Sequence, residues 1–469
     1  MLSVLLNPKR LDQHLDTKSI PYTNDFYILE NLTTRLLSLD EKGNYQMELA
    51  SSFEKVSELE YAAEIRETYF SNGELITLQD VEQTFLRIKK FDSSHVKLSE
   101  ILEDIEIKSK KIHFRLKYPN KSFVYYLSLP DLGVLHKSQY SKDTLKAADF
   151  THVSSGPFVY SKKGEEFYLI KNSYYLVHPK TYPDSVKLLN YFKEAPHEML
   201  LNGDADLGKV SVNYFLENRE RFSSKDNLRV IGVPSSSLTY LYFNKYSEKF
   251  NKKSHRLWLK NVILKNFNVP KSYGWIARNA KQYFPPESKA FLQEDELKND
   301  LSKIEIVKPS DFPSEIVIHT YSTAFKVTLE PLVKLLEEIP GVKIILKDTV
   351  DPSNYLKDMK EGRFDIFVNI MSTDFRTPVE AINFEFFSSE SALHDEGGLI
   401  AESFKSYQKA KGESEEIKHL KTISSYLVQS DQVIPLFHSA IPYVYNSEKV
   451  NLDGLNHLFI FNFWKMKKK

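Results

Sequence analysis

The stretch "EIVIHTYSTAFKVTLEPLVKLLEEIPGVKIILKD" at residues 315–348, with "NYLKDMKEGRFDIFVNIM" at 354–371, decides the fold of the second half of this chain. "EIVIHTYS" reads as a strand, "AFKVTLEPLVKLLEEI" as a helix, "VKIILKD" as a strand, "NYLKDMKEG" as a helix and "FDIFVNIM" as a near-continuous apolar strand. Strands and helices alternating at this spacing form parallel βαβ units, and an apolar run without alternation suits a strand buried on both faces. An α/β domain with a buried sheet is therefore expected. Ligands of such sheets gather beyond the carboxyl ends of strands, and Asp374 stands just past "FDIFVNIM". A carboxylate there occupies the place of a site.

Moving outward, "EYAAEIRETYF" puts Tyr61, Ala63 and Ile65 in alternation with polar neighbours, as in a half-buried strand. "SNG" turns the chain, and "TLQDVEQTFLRIKKF" opens with Thr77 and Asp80 at capping-box spacing ahead of Val81, Phe85, Leu86 and Ile88. "ILEDIEIKSKKIHFRLKY" reads as a hairpin, with Ile105 and Ile107 on one arm, Ile112, Phe114 and Leu116 on the other, and a Lys-rich turn. No internal repeat or low-complexity segment interrupts this pattern.

Composition limits what such a protein can do. With 469 residues, 41% of them hydrophobic, the chain can bury a large core and form two or three domains. Its 63 basic and 63 acidic side chains cancel, so no long-range field holds a polyanion, which argues against nucleic acid as a partner. The absence of Cys removes thiol catalysis, Cys-type zinc sites, iron–sulfur clusters and disulfides together. "MLSVLLNPKRLDQHLD" carries an apolar run far short of a signal peptide core or a membrane span, so the chain as given is expected to be soluble. "KMKKK" reads as a solvated tail.

Enzyme chemistry finds little support. "HEMLL" lacks a second His, leaving His197 and Glu198 as a surface pair, and no dinucleotide fingerprint, phosphate loop or nucleophile elbow is present. "SSGPF" reads as a structural turn on Gly156 and Pro157, not a nucleophile turn. The 13 His residues lack ligand spacing, and His438 reads as packed at a strand end. Glu380 and Glu385 do not share a helical face. No catalytic residue, metal site or cofactor is assigned, and the chain is expected not to be an enzyme.

The order of the segments resembles the family 5 extracellular solute-binding proteins, the peptide- and nickel-binding components of ABC importers. "LDQHLD" looks like the family's L-D-P-H start, and "LTTRLLSLDEKGNYQMELASSFEKV" and "IRETYFSNGELITLQDV" resemble its next two segments. "SSGPFVY", "MLLNGDADLG", "YLYFNK", "EGRFDIF", "FEFFSSES" and "VIPLFH" follow in the family's order, so the resemblance covers nearly the whole chain. Among its departures, Asn72 replaces an Asp, Phe53 a Trp and Arg35 a Gly.

The resemblance implies an α/β, two-lobed periplasmic-binding-protein clamp (type II, cluster C) with an extra subdomain and two crossover hinge strands. Lobe 1 would comprise residues 1–38, 150–240 and 437–469, with 39–149 as the extra subdomain, and lobe 2 would be 241–436, with Asn244 and Pro435 marking the hinge. It further implies a monomer that captures short peptides between its lobes and delivers them to a membrane permease. Such a protein works in the periplasm or outside the cell, with a lipid anchor as one option and the expected leader absent from this chain.

"STDFRTP" resembles the A-D-Y-x-x-P segment of peptide-binding members, which implies that Asp374 takes the ligand's α-ammonium group while Met371, Ser372 and Thr373 pair with its backbone. A weaker match implies a facing edge from Ser19, Ile20 and Tyr22 in "SIPYT". On the residues alone, Asp374 also fits a loop cap. Where oligopeptide-binding members set basic residues for the ligand carboxylate, this chain has Met359 and Val368, with Lys360 and Arg363 nearby but unmatched. Within the same clamp a nickel chelate, haem or an oligosaccharide stays open as the ligand, as does a sensory or chaperone role. Trp275 in "SYGWIARN" is the candidate pocket aromatic, Trp258 reads as core, and His255 beside Arg256 as surface.

Overall fold

The computed structural model describes residues 1–6, 17, 23–40, 44–93, 96–139, 153–175, 183–189, 196–232, 237–286, 288–297, 304–320, 326–348, 355–372, 398–452 and 462–466. They fall into two compact units, one of residues 1–210, 220–231 and 443–469, the other of 211–219 and 232–442.

In the first unit, seven strands form one sheet in the order 228–231, 443–446, 207–209, 2–5, 185–189, 166–171 and 158–163. A separate four-stranded antiparallel sheet joins 50–57, 60–65, 111–116 and 102–108. The expected hairpin is present, pairing Ile105 with Phe114 and Ile107 with Ile112 through a tight turn in which Ser109 and Lys110 both take positive φ. The helix predicted beside it spans Leu78–Phe91 with both halves of the Thr77–Asp80 capping box formed. Val81, Phe85 and Ile88 are fully buried on its inner face, but Leu86 lies on the outer face and is exposed. On the strand Glu60–Ile65 alternation fails at Ala62, which is buried like its neighbours Tyr61 and Ala63.

Arg35 is wholly buried and pairs with the buried carboxylates of Glu30 and Glu48. Thr34 and Tyr175 also donate to Glu48. One guanidinium thus holds two carboxylates out of water.

In the second unit we number the strands β1 (Ser237–Phe243), β2 (Ala277–Asn279), β3 (Glu315–Thr320), β4 (Lys343–Asp348), β5 (Ile366–Ser372) and β6 (Val433–Ser439). They form one sheet in the order β2-β6-β1-β5-β3-β4. The helices are α1 (Lys253–Asn266), α2 (Lys326–Glu337), α3 (Tyr355–Lys360), α4 (Leu399–Lys409) and α5 (Glu413–Gln429). The predicted βαβ units are β3-α2-β4-α3-β5, with β3 parallel to both β4 and β5. The rest of the sheet is antiparallel, so it is mixed. Both faces are covered. Ile366 and Val368 of β5 join a core with Trp258, Leu259 and Ile263 of α1 and Leu329, Leu332 and Leu336 of α2. Phe367 and Met371 join another with Ile400 of α4 and Leu420, Ile423 and Leu427 of α5. A strand between two helical layers needs apolar residues at every position, hence the run in "FDIFVNIM".

Two buried polar groups fasten the sheet. The Asp365 carboxylate accepts from the Val317 N–H at 2.8 Å, the Ser247 hydroxyl at 2.6 Å and Lys249 Nζ at 3.1 Å. Lys260 is buried and its ammonium donates to the carbonyls of Val428 and Ser430 at the end of α5. Burial lowers its pKa from the ordinary 10.5 to about 7, partly offset by Asp431.

The sequence reading cuts the chain at 240/241 and 436/437, whereas the units divide at 231/232 and 442/443. The reason is the ladder: β1 pairs along its whole length with β5 and, across one bulge, with β6, so a cut at either earlier place would split a hydrogen-bonded strand. Asn244 and Pro435 consequently lie inside the second unit. Asn244 donates its side-chain amide to the Met359 and Phe364 carbonyls and accepts from the Tyr246 N–H, which fixes it there.

Two predictions follow from these buried charges. Arg35→Met leaves Glu30 and Glu48 without their counter-charge and should lower unfolding free energy by about 3–5 kcal/mol, read by urea denaturation; a loss under about 1 kcal/mol would refute the role. For Lys260, the folded chain sheds its proton near pH 7 while the unfolded chain keeps it to about 10.5. Its contribution to stability therefore rises with pH across that window, and the rise should vanish from melting curves of Lys260→Met.

Candidate ligand site at the carboxyl end of a sheet

The site expected at Asp374 begins where β5 ends, and its main feature is an offset between strands. Seven residues of β5, Ile366–Ser372, pair with β1, but only three, Ile366–Val368, pair with β3, whose last residue Thr320 lies opposite Val368. From Asn369 to Ser372 no strand pairs with β5 on its β3 side among the described residues, and residues 321–325, next after Thr320, lie outside them.

This stretch is held from its other side. Tyr240 of β1, opposite Asn369, is buried with its ring 5.9 Å from that of Tyr283. Its hydroxyl accepts from the Asn369 side-chain amide at 3.0 Å, and the oxygen of that same amide accepts the Ile370 N–H at 2.8 Å. Asn369 therefore spans from the neighbouring strand to the next main-chain donor. Burial also pushes the Tyr283 phenol well above its ordinary pKa. On the opposite face the hydroxyls of Thr239 and Thr320 are buried and meet no hydrogen-bond partner among the described residues.

Of the residues expected at the site, Met371 is buried in the aromatic core, where its side chain is closed to a ligand. Ser372 is the last residue of β5. Thr373 and Asp374 lie outside the described residues, as do Ser19, Ile20 and Tyr22, and Glu380 and Glu385. Trp275 is half exposed on a helical turn, Lys271–Ile276, interrupted at Gly274 with φ +58. Its ring leans on Phe215 at 6.3 Å and over Gly232, where a Cβ would come within 2.9 Å of the indole. Arg219 braces the turn by donating to the Tyr273 carbonyl. Asn369, Tyr240, Thr239 and Thr320 were not singled out from sequence, although Asn369 is the one uncharged polar residue in "FDIFVNIM".

The remaining candidates resolve into structural roles or corrections. Met359 and Val368 are core residues, and Arg363 pairs with Asp358 and Glu361. Trp258 is buried edge-on against Phe312 at 4.4 Å. His255 is buried, not on the surface, with its ring nitrogens facing the Lys249 carbonyl and Asp311. His438 is buried on β6 beside the Gln282 carbonyl at 3.2 Å.

His197 is half-buried, its pKa lowered by desolvation to about 4, while Glu198 pairs with Arg221. Ser154 and Ser155 are buried among main-chain partners, and a Cβ on Gly156 would meet the Leu32 and Thr33 backbone at 2.6 Å, which explains the turn. No cluster of three His, Asp or Glu suited to a metal occurs among the described residues. No helix among them is long and apolar enough to cross a membrane.

Solved structures share this fold across the full chain. AppA from Clostridium difficile superposes with a TM-score of 0.79 at 17% identity, covering 100% of both chains. NikZ from Campylobacter jejuni, in complex with Ni(L-His), gives 0.76 at 18%, covering 100% of this chain and 99% of its own. The ABC transporter-associated periplasmic binding protein DppA from Helicobacter pylori, in complex with peptide STSA, gives 0.75 at 18%, covering 100% and 97%. The fold is thus that of the two-lobed periplasmic binding proteins. A search of curated sequences returns no match. The model of the bacterial extracellular solute-binding proteins, family 5, matches residues 44–392, well over half of the sequence, and the chain belongs to that family.

Proposed function

We propose that this solute-binding protein captures short peptides and presents them to the permease of an ABC importer. The observation that supports the reading is the carboxyl end of β5, where no strand pairs with Asn369 to Ser372 on the β3 side among the described residues. An extended peptide can add itself to such an edge as a further strand, through contacts indifferent to its side chains. Asp374, two residues past that edge, supplies a carboxylate for the peptide ammonium. An ammonium taken from water loses several kcal/mol of solvation unless an opposed charge and hydrogen bonds replace it.

Closure around the peptide bends the chain where it passes between its units, at 210/211, 219/220, 231/232 and 442/443, so Asn244 and Pro435 move with the second unit. The half-exposed Trp275 is the aromatic we assign to the ligand, with Ser19, Ile20 and Tyr22 as the facing edge. The protein works as a monomer in the periplasm or at the outer cell surface, as capture and delivery without turnover.

Native mass spectrometry of the purified protein should release a ladder of mixed short peptides; a single non-peptide species would replace this reading with another solute. Asp374→Ala, with its melting curve unchanged, should weaken peptide binding by about thirtyfold or more, and a change under about twofold would remove the ammonium role. Trp258 and Trp464 are buried, so a ligand-induced shift in tryptophan emission should disappear in Trp275→Phe. A shift that persists in that variant would take Trp275 out of the site.

A further inference from the structure

We propose that the β2 edge of the second unit's sheet, two strands away from β5, holds a further ligand site for a small apolar organic acid in its anionic form. β2 pairs with β6 from Ala277 to Asn279, and the Ala280 N–H adds one more bond, to the Leu436 carbonyl at 3.0 Å. The residue of β6 before Leu436 is Pro435, which has no N–H with which to carry a ladder on. Where the pairing stops, a cavity of about 300 Å³ lies among β6, the end of β2 and the last turn of α1, within the size range of small-molecule sites.

Its floor is apolar and its rim is cationic. Ile263, Phe267, Ala280, Pro435 and Leu436 line it and are all buried. Lys265 of α1 and Lys281 after β2 line it as well, both exposed, and no acidic residue does so among the described residues. Two amides join its walls: Asn279 Nδ2 donates to Asn268 Oδ1 at 2.9 Å, and the Val269 N–H donates to Asn279 Oδ1 at 2.7 Å. The carbonyls of Val262, Ile263 and Asn266 accept from the Asn266 amide, the Phe267 N–H and the Asn268 amide, so the negative end of α1 is partly covered. An apolar floor beside two ammonium groups selects a molecule with matching halves. Its hydrocarbon displaces water from the floor, and its carboxylate takes charge-assisted hydrogen bonds from the lysines.

The experiment is a ligand-observed NMR titration of the full chain with 3-phenylpropanoate, its neutral amide and acetate. The expected dissociation constant for 3-phenylpropanoate is about 1 mM or below. The amide, which has no charge for the lysines, should bind about tenfold more weakly, and acetate, which has almost no apolar body, about thirtyfold more weakly. The double variant Lys265→Gln with Lys281→Gln changes only exposed side chains and should keep the parent melting curve. It should bind 3-phenylpropanoate about tenfold more weakly than the parent does, level with the amide. No saturation by about 10 mM, equal affinity for acid and amide, or a double variant that binds the acid like the parent overturns the site. The peptide reading stands in each of these cases, because no residue of that site is involved.

Discussion

The strand offset at β5 is the constraint on which the second unit's candidate site depends. β5 lies between an antiparallel neighbour paired with it from Ile366 to Ser372 and a parallel neighbour whose described pairs run from Ile366 to Val368. A buried strand must satisfy its main-chain groups on both sides, and any stretch that outruns a neighbour needs another partner. Here one of those groups, the Ile370 N–H, is met by the Asn369 side chain.

The chemistry of a binding protein differs from that of an enzyme in what its polar residues do. The buried polar groups described here mostly hold main chain in place: Asp365 ties β5 to β3, Asn244 ties the end of β1 to the segment before β5, and Lys260 closes the end of α5. Each satisfies donors or acceptors that would otherwise be stranded, a loss of about 1–3 kcal/mol apiece. The Arg35 cluster does the same in the first unit with full charges.

Much of this was legible in local sequence. Helix and strand periodicity located every element of the βαβ region, and the Thr77–Asp80 spacing located a helix start to the residue, because both signals are encoded within a few positions of one another. Motif order carried the family. What local sequence did not show had non-local causes. Leu86 is one of the apolar positions of its helix, yet it lies on the outer face and is exposed. His255 looked like a surface residue, but the loop bearing Asp311 and Phe312 folds over it.

The sequence by itself determined the fold class, the family and the place of one carboxylate past a buried strand, since these depend on periodicity, motif order and composition. Only the tertiary structure decided that Thr320 of β3 lies opposite Val368, that Tyr240 lies across from Asn369, and that the Asn369 amide bridges the Tyr240 hydroxyl and the Ile370 N–H. Register between strands distant in sequence is set by how both pack into the same two helical layers, and no local pattern in either strand encodes it.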